Sequence, residues 1–175
     1  MPRRHHPLLV ALHWLVAGLI LGALIGGKFS LDPIPNADPS KVAVLRLHMI
    51  VGLTVLTLML VRVVVRFTTA APPPADTGAP ALDTLRRLAH GLLYLLAFAM
   101  PLSGIALARA AGLPEVVFGG TGTLPPSFEP FAARAVHGAI AGLLALVLAL
   151  HVAAALWHQF VRRDGLFARM WFGPR

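Results

Sequence analysis

The sequence predicts an all-α fold, an integral membrane four-helix bundle, on three observations. Of the 175 residues, 57% are hydrophobic and only 13% are charged, and the mean hydropathy is +0.77, outside the balance of a soluble domain that keeps a charged surface around one core. Four apolar segments, about 8–27, 44–67, 88–111 and 132–161, are long enough to cross a bilayer. Arg46, Arg62, Arg66, Arg109 and Arg134 lie near segment ends, where a long side chain can reach the interface. Residues 1–175 read as a single transmembrane domain without internal repeats or a separate soluble domain.

The first segment follows Arg3 and Arg4, as a signal peptide would. Its apolar run is too long for one, however, and no A-x-A site follows Gly26-Gly27, so it reads as a retained helix. The second segment carries His48 near its start. The connection TTAAPPPADTGAPALD that follows is too proline-rich to be helical throughout and reads as a link. The third segment carries His90 and Tyr94, with Pro101 in MPLSG as a kink. Trp14, Trp157 and Trp171 fit an interfacial aromatic belt, and His5 and His6 fall in a basic N-terminal tail where solvated, structureless chain is expected.

There is no cysteine, which excludes disulfides, thiolate-bound clusters and covalent attachment of a c-type haem. The net charge of +8 reports topology rather than nucleic-acid binding. The N-terminus, middle connection, C-terminal tail and adjoining helix ends hold Arg3, Arg4, Arg62, Arg66, Arg86, Arg87, Arg162, Arg163, Arg169 and Arg175. The other side has Lys28, Lys41, Arg46, Arg109 and Arg134. The positive-inside rule therefore places both termini in the cytoplasm, with residues 28–43 and 112–131 in the periplasm of a bacterium.

The fourth segment, 132–161, carries His137 and His151. Their spacing of fourteen residues is nearly four helical turns, about 21 Å of axis, so both leave the helix on nearly one side at two depths. Only apolar residues and glycine separate them. An imidazole there is costly without a strong partner, and two stacked metals, hence two b haems, supply one each. Depth pairs His48 with His137 near the periplasm and His13 with His151 near the cytoplasm. Each level offers two imidazoles from different helices, as a six-coordinate b-type haem iron requires. His90 lies at the inner level and competes with His13 for that iron. His158, closer to the cytoplasm on nearly the same face as His151, reads as a neighbour of haem propionate or quinone. Gly52, Ala141 and Ala155, four residues from the candidate ligands, either leave room for flat porphyrins or mark close helix contacts.

The motifs LHWLVAG, RLHMIVG, LAHGLLYLLAFAMPLSG and AVHG…ALHVAAALWHQF resemble those of the bacterial cytochrome b561 family across nearly the whole chain. That resemblance implies two haem b groups in an inner-membrane protein. His13 and His151 would ligate the cytoplasmic haem iron, and His48 and His137 the periplasmic one. It also implies electron exchange with ubiquinone, and some short members resemble superoxide:ubiquinone oxidoreductases fed by a small periplasmic donor. The alternative is a haem-carrying electron-transfer subunit that docks a dehydrogenase or hydrogenase. A non-redox transporter is disfavoured, because no acidic residue falls within the expected spans.

Overall fold

The computed structural model describes residues 4–73 and 80–173. Arg3, Arg175 and the centre of the proline-rich link lie outside them. Helix α1 spans Pro7–Gly26 and continues as a π turn over Gly27–Leu31. Helix α2 spans Ser40–Thr68 and α3 spans Pro80–Ala110. The short α4 covers Leu113–Val117, and α5 spans Ala132–Trp157 before a second π turn, His158–Arg162. A final 3₁₀ turn covers Phe167–Met170. The four long helices are each apolar and long enough to cross a membrane, and the protein is a multi-pass all-α membrane protein.

Two boundaries differ from the hydropathy reading. Helix α2 begins at Ser40 and α3 at Pro80, because polar turns extend each helix beyond its apolar stretch. Proline suits the first turn of α3, where its missing N–H is no loss. Pro101 is buried within α3, which continues through it. Helix α3 is followed by Gly112, whose φ of +63° lets the chain turn into α4.

Packing is uneven. Val16, Val55, Met59 and Ala97 join α1, α2 and α3 at mid-bundle. Leu9, Leu12 and Val65 close one end, and Leu45, Ala108, Leu113 and Val117 close the other. Among the described residues, none of these clusters draws on α5, which packs along α3 and makes no extensive contact with α1 or α2. Leu144 is the one buried residue of α5. A seam therefore separates α5 from the α1–α2 pair.

Interactions at the two ends show which connections share a side. Arg4 Nη1 donates to the Trp171 and Phe172 carbonyls at 3.2 and 2.9 Å, Trp14 Nε1 to Met170 O at 2.8 Å, and Arg169 Nη1 to Pro73 O at 2.7 Å. The N-terminus, C-terminal tail and middle link thus meet at one end, the tail end. Asn36 Nδ2 donates to Pro125 O at 2.8 Å, which places the other two connections together at the opposite, loop end.

The N-terminal tail departs from the structureless expectation. His5 N–H donates to Arg169 O at 3.1 Å, and His6 Nδ1 accepts the Leu8 N–H at 3.3 Å as the cap of α1. The C-terminal segment folds back over this stretch and supplies partners that solvent would otherwise provide. Trp14 and Trp171 join this contact, their ring centroids 5.5 Å apart and both near Phe167.

Candidate haem-binding site

The seam between α5 and the α1–α2 pair holds two pairs of facing histidines. Near the loop end, His48 of α2 faces His137 of α5 with ring centroids 6.2 Å apart and planes at 81°. Near the tail end, His13 of α1 faces His151 of α5 at 6.4 Å and 73°. All four rings are partly buried. Among the described residues, no group of three or more His, Asp or Glu side chains is arranged to hold a metal ion. The histidines are set instead as two-ligand levels, which suits an iron whose other four ligands come from a porphyrin.

The separations allow a direct test of fit. A metal–imidazole bond of about 2.0–2.1 Å on each side, plus the half-width of each ring, separates two axial imidazole centroids by roughly 6.3 Å. Both facing pairs match that value. His90 also faces His151, but at 5.5 Å and 88°, too close for an iron between them. The His90 tautomer does not distinguish it from a ligand. Its Nδ1 lies 2.7 Å from the Arg86 carbonyl, which can only accept, so Nδ1 carries the proton and Nε2 is free. Its ring lies closer to His151 than the His13 ring does. His158, by contrast, turns into the tail, with its Nδ1 2.5 Å from Asp164 Oδ2. Burial raises the Asp164 carboxyl, but hydrogen bonds from His158 and the Leu166 N–H outweigh it and leave the group below its ordinary range.

Two glycines seat the loop-end rings. A Cβ on Gly27 would lie 3.3 Å from His48 Cε1, and one on Gly104 would lie 3.2 Å from His137 Cε1. Gly27 opens the π turn of α1, a local widening often found at functional sites. Buried Ser103 lies beside the second seat, its Oγ 2.9 Å from His137 Nδ1. The sequence reading passed over Gly27, Ser103 and Gly104. MPLSG offered a signal, a hydroxyl and a glycine just beyond a helix-interrupting proline, but only the fold brings them against His137. Around Gly52 the structure leaves open space, with nothing within 4 Å of a built Cβ.

Beyond His137, the loop end holds a polar cavity of about 150 Å³ whose lining includes Asp32, Asn36, Lys41, Phe128, Glu129 and Arg134. Lys41 and Arg134 of its lining, and Lys28 and Arg46 elsewhere at the loop end, have partners of their own. Arg134 pairs with Asp32 at 2.8 Å and approaches Glu129 at 4.0 Å, while Lys28 pairs with Asp32 at 3.0 Å. Lys41 donates to the Leu31 and Ile34 carbonyls at 2.7 and 2.6 Å, and Arg46 donates to Val117 O at 2.8 Å. The hydrogen bond from Lys28, aided by the charges of Lys28 and Arg134, holds the Asp32 carboxyl below its ordinary range despite slight burial. At the tail end, Arg62 donates to Leu9 O at 3.0 Å and lies over the Tyr94 ring, 5.7 Å from its centre.

A membrane bundle with two facing histidine pairs points to a class, the b-type membrane cytochromes. The profile of the prokaryotic cytochrome b561 family matches residues 4–173, and the chain belongs to that family. It is 27% identical to the probable superoxide oxidase CybB of Yersinia pestis, over 97% of each chain. It is 35% identical to cytochrome b562 of Cereibacter sphaeroides, over 92% of this chain and 90% of that protein. Cytochrome b561 homolog 2 of Escherichia coli is 28% identical, over 97% of this chain and 92% of its own length. Membership implies haem b as the cofactor.

Proposed function

We propose that the chain holds two haem b groups in the seam, one at each histidine level, and carries electrons across a bacterial inner membrane. His48 and His137 hold the outer iron, and His13 and His151 the inner one. The observation that carries this reading is the pair of facing-ring separations, 6.2 and 6.4 Å, between α5 and the α1–α2 pair. The arginine-rich tail end takes the cytoplasmic side with both termini, and the loop end takes the periplasm.

Haem, when bound, would supply a one-electron couple, and His48 with His137 and His13 with His151 would hold it for electron transfer rather than dioxygen binding. The protein's own residues present imidazole nitrogens and fix two levels on one helix, with Arg62 and Arg134 near the two ends of the seam. The donor is a small periplasmic reductant, with superoxide as the leading candidate on the likeness to the probable superoxide oxidase. The acceptor is ubiquinone in the surrounding lipid. Two superoxide anions give up two electrons and leave as dioxygen, while one quinone takes those electrons with two protons.

The loop-end cations favour a second reading. Lys28 and Arg134 are paired with Asp32, and Arg134 also approaches Glu129, which reduces their pull on a free anion. A haem-carrying subunit reduced by a docked dehydrogenase or hydrogenase needs no such pull. The two readings separate when isolated protein is exposed to superoxide with a quinone present and haem reduction is followed. The first predicts reduction well above a haem-free control. No reduction above that control overturns it and favours the partner-fed subunit.

A further inference from the structure

The seats at the outer level suggest more than a place for a ligand. Ser103 Oγ lies 2.8 Å from the Met100 carbonyl and 2.9 Å from His137 Nδ1. The hydroxyl has one proton, and the carbonyl oxygen can only accept. That proton goes to Met100, so His137 Nδ1 carries its own proton and points it at the hydroxyl oxygen, with the Met100 carbonyl as a further acceptor beside it. Nε2 is then the unprotonated nitrogen, the only one that can bind iron. The adjoining Gly104 brings α3 so close that even a methyl group would press on the ring's Cε1 edge, at 3.2 Å. One residue fixes the tautomer of His137, and the next confines its ring.

We infer that Ser103 is a positioning residue for the outer haem, which sets the reduction potential by holding His137 through an Nδ1–H···Oγ bond backed by the Met100 carbonyl. This rests on the two-level reading above. A hydrogen bond accepted from the distal N–H of a metal-bound imidazole makes that imidazole a stronger electron donor. It thereby favours the oxidised iron and lowers the potential. Burial of Ser103 strengthens the effect, since hydrogen bonds are electrostatically stronger in a low-dielectric interior.

The test is a spectroelectrochemical titration of the purified holoprotein and its Ser103→Ala and Ser103→Thr variants, with haem content measured alongside. The outer couple is identified as the one missing from His48→Ala. Ser103→Ala should keep both haems and raise the outer potential, shifting its reduction equilibrium about threefold to tenfold, the latter being 59 mV for one electron. The inner couple should stay in place, and Ser103→Thr should return the outer one to its parental value. Loss of the outer haem in Ser103→Ala with retention at parental potential in Ser103→Thr also supports the role. Unchanged potentials in Ser103→Ala, or loss of the haem in both variants, overturns it. If the parent protein itself carries fewer than two haems, the two-level reading has failed instead.

Discussion

Replacing Gly104 by alanine sets two physical effects against each other. Within a helix, alanine is favoured over glycine by about 0.8–1 kcal/mol, so the apoprotein should melt no lower than its parent. The new Cβ, however, would lie 3.2 Å from His137 Cε1 and 3.6 Å from Nδ1. Carbon atoms rest at about 3.5–4.0 Å, so the ring must retreat by roughly 0.3–0.5 Å. That shift uses up most of the roughly 0.5 Å within which a ligand constellation has to be held. Disturbing the support of a metal ligand costs about tenfold or more in affinity, or about 1.4 kcal/mol at the lower end. The outer haem should therefore be lost about tenfold more readily while the inner one holds. The assay is haem transfer from detergent-solubilised protein to a haem-scavenging apoprotein, beside thermal melts of the apo form. Gly26→Ala is the control, because its Cβ meets nothing within 4 Å. Equal haem retention in the two variants would refute the claim that Gly104 seats His137.

Other outcomes follow from the same geometry. His13→Ala should empty the inner haem site while His90→Ala leaves it filled, read from haem content; the reverse pattern would put His90 on the iron despite its 5.5 Å approach to His151. Leu144→Ala should loosen both haems together, because Leu144 seats α5. Its cost in thermal melts should be about 1–2 kcal/mol, below the roughly 2–5 kcal/mol of a soluble core, since lipid offers leucine no hydrophobic penalty; weakening of only one haem would contradict that seating. The Asp32 carboxyl is depressed by Lys28 and Arg134, so its contribution is complete above the ordinary carboxylate value of about 3.9 and fades as pH falls through its lower native value. Melting temperature should show no loss from this group between pH 5 and 8 and a drop below about pH 4. Asp32→Asn should flatten part of that drop, and an unchanged acid profile would count against the Lys28–Asp32–Arg134 cluster.

Much of the architecture was legible because hydropathy and length decide which segments can enter a bilayer. The histidine pairing was legible too, for a geometric reason. In an up-and-down bundle, sequence position converts to depth at a constant rise, so His48 and His137 had to share one level and His13 and His151 the other. The relation of His90 to His13 could not be read that way, since both lie at one depth; the fold sets their rings 5.5 and 6.4 Å from that of His151. Gly27, Ser103 and Gly104 escaped notice because their roles depend on how closely one helix approaches another. The ordering of His5 and His6 was equally hidden, as it comes from a C-terminal segment far away in sequence. The local partners of Lys28, Lys41, Arg46 and Arg134 at the loop end were hidden as well.

The central claim is that two facing histidine pairs each hold a b haem. Its most direct test is haem stoichiometry in the purified protein by the pyridine haemochrome method, with protein quantified independently. The account predicts two haem b per chain, falling to one in His48→Ala or His137→Ala. A parent protein with a single haem, or a variant that keeps both, would contradict it.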